Sequence, residues 1–359
     1  MAINKILIIQ TAFIGDVVLI TPLIKGIKEI YPNSDIDVVV NPKCWNILHN
    51  NPYINKVLNL EKRNLLKFIM FIFKIRKRKY DISVSPHSSF RSGMISFFGA
   101  IPCRIGFKRN LQQYFLTKSL MHPKSGHKVN KNLSLLKLLP TCNGDVSIAK
   151  NHCNNVQSPE IGRLEIAPTK LYPIQKNHDK VNKLLTNNSK SKILIAPGSV
   201  WFTKRWPLEN YYLLIKKLIE NGYMVILSGS IAESGINDYI YQKIIKEYPE
   251  KKDSIVCTTG KFDILDTAAM MEKVDLVICN DSGTLHIANA SQTPVFAFFG
   301  PTVKEIGYFP FGEKDHVFEV DLPCRPCGSH GGHKCPKGHF NCMKMINADI
   351  VFEKVKEYF

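Results

Sequence analysis

Four short loops carry the residues whose types and spacing suit chemistry. The first, Gln10-Thr11-Ala12-Phe13-Ile14-Gly15-Asp16, joins a glycine that permits close backbone approach to a carboxylate in the first turn of a predicted helix. That carboxylate can cap the helix, worth about 1 kcal/mol, or accept a proton as a general base. The residue alone leaves both open. The second loop runs from Ala196 to Pro207. Gly198 and Ser199 leave backbone N–H groups free, and Lys204 and Arg205 add positive charge before a helix, a combination that binds phosphate. It reads alternatively as an exposed basic loop with two core tryptophans. The third, Ser228 to Glu233, offers only a turn glycine and a first-turn acid. In the fourth, Asn280-Asp281-Ser282-Gly283-Thr284, the N–H groups of Ser282, Gly283 and Thr284 open a helix of small residues and suit a diphosphate. Asp281 would repel a bare phosphate, so it reads as a cap or as an acceptor for loop N–H groups and ligand hydroxyls.

Each loop follows a short β-branched run and precedes a helical pattern, where ligands bind in open α/β sheets. Strands are expected at Lys5–Gln10, Asp35–Val40, Val57–Leu60, Asp81–Ser85, Lys192–Ala196, Tyr223–Leu227, Ser254–Cys257, Val274–Cys279 and Pro294–Phe299. Helices are expected at Asp16–Ile30, Arg63–Arg78, Ser88–Phe98, Pro207–Asn221, Ala232–Tyr248, Asp263–Glu272 and Leu285–Ala290. In Pro207–Asn221 the residues Leu208, Tyr211, Tyr212, Ile215, Leu218 and Ile219 mark one buried face. The alternation implies two doubly wound α/β halves, with the pattern fading between about Thr141 and Ser191. The first loop lacks the full G-x-G-x-x-G fingerprint, so an ordinary dinucleotide site is unsupported.

The 359 residues suit two domains, and 48 Lys plus Arg against 30 Asp plus Glu leave a formal charge of +18. Such a surplus favours an anionic partner, or else reflects lysines scattered over solvated faces. The stretch "RNLLKFIMFIFKIRKRKY" from Arg63 to Tyr80 is basic and strongly apolar. It suits the surface of an anionic membrane leaflet or a packed helix with a basic solvent face. No secretory leader is read at the start and no apolar run is long enough to cross a bilayer. The ten cysteines are therefore expected in a reducing cytoplasm. Four of them, Cys324, Cys327, Cys335 and Cys342, form a C-x2-C-x7-C-x6-C arrangement. It suits a tetrahedral structural Zn or Fe site, free thiols in a compact loop, or disulfides.

Taken together, "IGDVVLITP", "APGSVWFTKRWPLENY", "NDSGTLHIANASQTPVFAFFGPT" and the late cysteines resemble the lipopolysaccharide heptosyltransferases, glycosyltransferase family 9. Within that family the second heptosyltransferase of inner-core synthesis is the nearest in pattern. The resemblance covers nearly the full chain, weakly between about Asn143 and Ser191. It implies a GT-B fold, two Rossmann-like doubly wound domains facing across a cleft. An acceptor-binding domain would occupy 1–165, a donor-binding domain with the Cys-rich loop 324–342 would occupy 166–345, and a C-terminal helix 346–359. It further implies inverting transfer of heptose from ADP-heptose to a lipid A-core acceptor. Asp16 would be the general base and Lys204 would hold the diphosphate. Asp281, Ser282, Gly283, Thr284 and His286 would bind the donor, together with Ser199 and Glu233. Arg63 and Arg104 would face acceptor phosphates. No Asp-x-Asp motif lies in a suitable loop, so no cofactor is expected for catalysis. The enzyme would work in the cytoplasm, peripheral at the anionic inner face of the inner membrane, without nucleic acid.

Three rivals stand beside that reading: a GT-B enzyme using another sugar nucleotide or a protein acceptor, a basic nucleic-acid-binding protein with a zinc knuckle, and a non-catalytic α/β scaffold. The nucleic-acid reading predicts binding that falls steeply with salt, yet the basic residues are not interleaved with aromatics on one recognisable surface.

Overall fold

The computed structural model describes residues 3–61, 64–140, 167–185 and 190–359. The chain divides into two compact units, Met1–Tyr172 and Pro173–Phe359. The expected boundary between 165 and 166 lies outside the described residues.

In the first unit, β1 (Lys5–Ile9), β2 (Asp35–Val40), β3 (Lys56–Asn59), β4 (Ile82–Ser85), β5 (Cys103–Lys108) and β6 (Lys118–Met121) form one sheet in the order β3-β2-β1-β4-β5-β6. All neighbours are parallel, with Ile6 opposite Ile36 on one side and Ile82 on the other. The runs KILII and DIDVVV are apolar without alternation and buried beyond their first residue, as a sheet covered on both faces requires. Among the described residues the helices of this unit are α1 (Ile14–Val18), α2 (Thr21–Ile30), α3 (Leu65–Arg78), α4 (Phe90–Phe98) and α5 (Lys128–Leu133).

The single helix expected over Asp16–Ile30 is two. Pro22, near the start of α2, has no N–H to continue the ladder. The hydroxyl of Thr21 instead donates to the Val18 carbonyl at 2.8 Å.

The second unit begins with α6 (Gln175–Asn182). It then alternates β7 (Lys192–Ala196), α7 (Leu208–Glu220), β8 (Met224–Leu227), α8 (Ser234–Glu247), β9 (Ile255–Cys257), α9 (Ile264–Met271), β10 (Leu276–Asn280), α10 (Gly283–Ala290), β11 (Val295–Phe299) and β12 (His316–Glu319). A short α11 (Asn341–Lys344) and a terminal α12 (Ala348–Tyr358) complete it. Its sheet order, β12-β11-β10-β7-β8-β9, repeats that of the first unit. The core joins Ile193, Ile195, Tyr211, Ile215, Leu218, Phe296 and Phe298 to Val351, Phe352 and Val355 of α12. The terminal helix is therefore an integral part of this unit.

In each sheet the strand order reverses beside the first strand, at β1/β4 and again at β7/β10. In open α/β sheets such a switch point is where ligands bind, beyond the carboxyl ends of the strands. The loops after β1, β7 and β10 are three of the four that the sequence marks for chemistry.

Candidate active site

In the second unit the loop after β7 and the loop after β10 are bound together through Asn280, a fully buried last residue of its strand. Its side-chain amide donates to the carbonyls of Pro197 at 2.8 Å and Gly198 at 3.1 Å. Its oxygen accepts from the backbone N–H of Trp206 at 2.9 Å and the hydroxyl of Tyr211 at 3.1 Å. The Trp206 ring stacks on Phe298 with centroids 4.2 Å apart, and its indole N–H reaches the Ile346 carbonyl at 2.7 Å. Trp206 is thus a core residue. Trp201, in the same loop, is only partly buried.

That scaffold fixes Lys204. Its ammonium lies 2.5 Å from Asp281 Oδ2, and the Thr302 hydroxyl donates to the same oxygen at 2.6 Å. Asp281 is therefore an ion-pair partner and not the helix cap. The cap of α10 is Ser282, whose hydroxyl accepts from the Thr284 N–H at 3.4 Å. The first turn of α10 leaves N–H groups unpaired within the helix, at its positive end, beside the loop that carries Lys204. Ser199 is buried, and its carbonyl accepts from Arg205 Nε at 2.8 Å. His286 is buried within α10, its ring 6.0 Å from that of Tyr308. Glu233 closes a capping box by accepting from the N–H and hydroxyl of Ser230 at 2.7 and 2.9 Å. A Cβ on Gly198 would fall 1.8 Å from Glu233 Oε1, so only glycine lets this carboxylate lie against the β7 loop.

In the first unit Asp16 is half-buried in the first turn of α1. The N-cap position belongs to Phe13, whose side chain caps nothing, so Asp16 is not the N-cap. Its charge acts on Lys128 of α5, which is 8% exposed. Burial pushes the Lys128 ammonium below its ordinary pKa, and Asp16 opposes that fall. α5 is held in place by Asn132, whose amide donates to the Leu19 carbonyl, between α1 and α2, at 3.0 Å. Lys128 lies 5.8 Å from the Phe107 ring centroid, and Phe107 in turn meets His122 at 4.9 Å. The His122 imidazole is pushed down to about 4, by burial first and then by Lys128, Arg109 and Lys131. Asp16 thus faces the buried ammonium of Lys128, which has Lys131 and Arg109 as further cationic neighbours.

Residues 69–335 match the model of glycosyltransferase family 9 (heptosyltransferase). The chain belongs to this family and is a glycosyltransferase. Over 307 residues it is 27% identical to lipooligosaccharide heptosyltransferase 2 of Haemophilus influenzae, covering 83% of this chain and 84% of that protein. It is 24% identical to lipopolysaccharide heptosyltransferase 2 of Escherichia coli K12, covering 93% and 91%. The solved structure of E. coli ADP-heptose LPS heptosyltransferase II is similar with a TM-score of 0.77 at 22% identity, covering 99% and 98%. The two doubly wound units are those expected for the halves of a GT-B fold.

In this family 9 chain the Cys-rich loop packs on the Lys204 loop. The N–H and hydroxyl of Thr203 donate to the Gly332 carbonyl at 3.0 and 3.1 Å, and the Gly332 N–H returns a bond to that hydroxyl at 2.8 Å. Trp201 meets His333 edge-on at 5.4 Å, and Phe202 stacks on Phe340 at 5.7 Å. At its other end the loop is tied to the end of β11. Arg325 donates to the carbonyls of Phe299 at 3.1 Å and Thr302 at 2.9 Å, and to that of Gly300.

Of the four cysteines in the loop, Cys342 is buried, Cys324 and Cys335 are partly buried and Cys327 is exposed. Cys324 Sγ lies 3.8 Å from His339 Nε2. Among the described residues no group of three or more His, Cys, Asp or Glu side chains is arranged to hold a metal ion.

Arg104 spends its guanidinium on its own unit, donating to the carbonyls of Phe115 at 2.6 Å and Ile101 at 2.7 Å. That geometry anchors a loop. Arg63 lies outside the described residues. Sequence reasoning gave no role to Asn280, Thr302, Lys128 or His122. Asn280 bears a signal in principle, a polar residue closing a run that is otherwise apolar and buried.

Proposed function

We propose that this family 9 glycosyltransferase moves L-glycero-D-manno-heptose from ADP-heptose to the inner core of lipopolysaccharide, with inversion at the anomeric carbon. The observation that carries this reading is the placement of Lys204 beside the Ser282–Thr284 turn at the β7/β10 switch point, in a chain whose family is that of the heptosyltransferases. A cation next to the positive N-terminal end of a helix suits a nucleotide diphosphate as a leaving group.

In this mechanism Asp16 accepts the proton of the acceptor hydroxyl as its oxygen attacks the anomeric carbon. The bond from that carbon to the ADP oxygen breaks. Lys204 and the N–H groups of Ser282 and Gly283 take up the charge that develops on ADP. Asp281 and Thr302 orient Lys204, while Ser199, His286 and Glu233 shape the donor site, Glu233 toward nucleoside hydroxyls. Lys128 beside Asp16, with Lys131 and Arg109 acting on Lys128, suits acceptor phosphates, and Arg63 is carried from the sequence as a further acceptor contact. The reaction needs no catalytic cofactor in this reading. The basic surplus serves an anionic glycolipid at the cytoplasmic face of the inner membrane, not nucleic acid.

The test is to incubate the purified protein with ADP-heptose and truncated core acceptors and to follow product by mass. A product heavier by one heptose supports the reading. Consumption of a different sugar nucleotide, with ADP-heptose untouched, overturns it in favour of another GT-B activity.

A further inference from the structure

Helix α3 carries two apolar stripes. The inner one, Phe68, Phe71 and Ile75, is buried in the core with Leu7, Ile9 and Leu58. The outer one, Leu66, Ile69, Met70 and Phe73, follows the i, i+3, i+4, i+7 spacing of a single helix face. These four side chains are 72, 41, 70 and 59% exposed. A helix that is apolar on both faces normally lies wholly inside a protein, yet here the second face meets solvent. It is bordered by exposed Lys67, Lys74, Arg76 and Lys77. Arg78 is turned inward to Asp37 at 2.5 Å and takes no part. Glu61 is paired with Lys67 at 2.6 Å.

We propose that this outer face of α3 docks the enzyme on an anionic phospholipid surface, with Leu66, Ile69, Met70 and Phe73 entering the headgroup boundary and the four bordering cations reading lipid charge. The proposal rests on the reading of the protein as an enzyme with a lipid-linked acceptor, and it names the surface that would bring the two together. At 14 residues α3 is too short to span a bilayer, so it lies in the plane of the interface. Charge decides the occupant. A second copy seated face to face would oppose the same lysines and arginine to themselves. An anionic lipid surface meets all four cations with opposite charge, each favourable near such a surface and weakened by salt.

The experiment is co-sedimentation of the full chain with vesicles of phosphatidylcholine alone or mixed with phosphatidylglycerol. The protein should pellet with the mixed vesicles, less so at high salt, and stay in solution with phosphatidylcholine. The variant Leu66→Ser/Met70→Ser/Phe73→Ser replaces exposed side chains and should stay folded, with far-UV circular dichroism unchanged. It should lose vesicle affinity at least about tenfold, and Lys74→Gln/Lys77→Gln should lose a similar factor. Transfer to a water-soluble truncated acceptor should be unchanged in both variants. Equal pelleting of wild type and the triple variant overturns the proposal, as does equal binding to both vesicle types. So does a wild-type dimer that the triple variant dissolves, which would make the face a self-association surface. Retained docking without heptose transfer would overturn the proposed function and leave the docking surface standing.

Discussion

Lys204 and Asp281, 77 residues apart, form a direct ion pair with 2.5 Å between Nζ and Oδ2 and side chains only 13 and 6% exposed. The cation expected to hold the donor diphosphate is therefore already paired with a carboxylate. Two consequences follow from burial. The pair presets the position of the ammonium, and either partner left alone would be a charge stranded away from water.

Replacing Lys204 with Met should lower turnover by about 10²–10³, the usual range for loss of one group that stabilises developing charge. It should also lower stability by about 3 kcal/mol by stranding Asp281. Adding Asp281→Asn to that variant should restore much of the stability and none of the turnover. Urea denaturation and transfer assays on the three proteins separate the two effects. A Lys204→Met enzyme with wild-type turnover would remove this lysine from the mechanism.

Asn280→Ala removes four hydrogen bonds that join the β7 loop, Trp206 and Tyr211 to β10. The partners are buried, so the cost should be about 3 kcal/mol, measurable as a lower urea midpoint. A change within about 0.5 kcal/mol would mean that water takes over these bonds.

The Cys-rich loop braces Lys204 through backbone packing. A Cβ at Gly331 would fall 2.5 Å from the Trp201 Cβ and 3.0 Å from Lys204 Cγ. Gly331→Val should therefore push the Lys204 loop and raise the donor KM about tenfold or more. Far-UV circular dichroism should stay that of the wild type. Unchanged donor KM would show that the loop tolerates the displacement without moving the lysine.

The strands of both sheets are legible in the sequence because parallel strands buried on two faces read as unbroken apolar runs, as in KILII and VFAFF. The loops after them are legible because those runs end abruptly in Gly, Ser and Asp. Strand β5, whose run CRIGFK is broken by Arg104 and Lys108, and edge strands β6 and β12 escape notice. KSLM and HVFE are short, partly exposed and mixed in composition, and an edge strand needs no continuous apolar run. The ion pair of Lys204 with Asp281 and the bond from Thr203 to Gly332, 129 residues away, depend on tertiary proximity that local pattern does not carry. Lys128 is hidden for a related reason. Its helix reads KVNKNL, a polar string, and only the fold buries it beside Asp16.

The His122 ring, held near 4 against an ordinary 6.5, has a defined sign in stability. Above 6.5 the ring is neutral in both folded and unfolded chains. As pH falls from 6.5 toward 4 the unfolded ring takes a proton that the folded ring refuses, so folding stability is lost across that window. His122→Gln should show a shallower loss of urea midpoint between those values than the wild type. An NMR titration should show the ring neutral at pH 5. A ring that titrates near 6.5 would contradict the burial and the three neighbouring cations as its causes.

The central claim is that Asp16 removes the acceptor proton while the second unit holds the departing diphosphate. Transfer of heptose from ADP-heptose to a truncated core acceptor by Asp16→Asn, measured beside ADP affinity, tests it most directly. The variant should lose about 10³-fold in turnover and bind ADP as the wild type does. Near wild-type turnover by Asp16→Asn would contradict the claim.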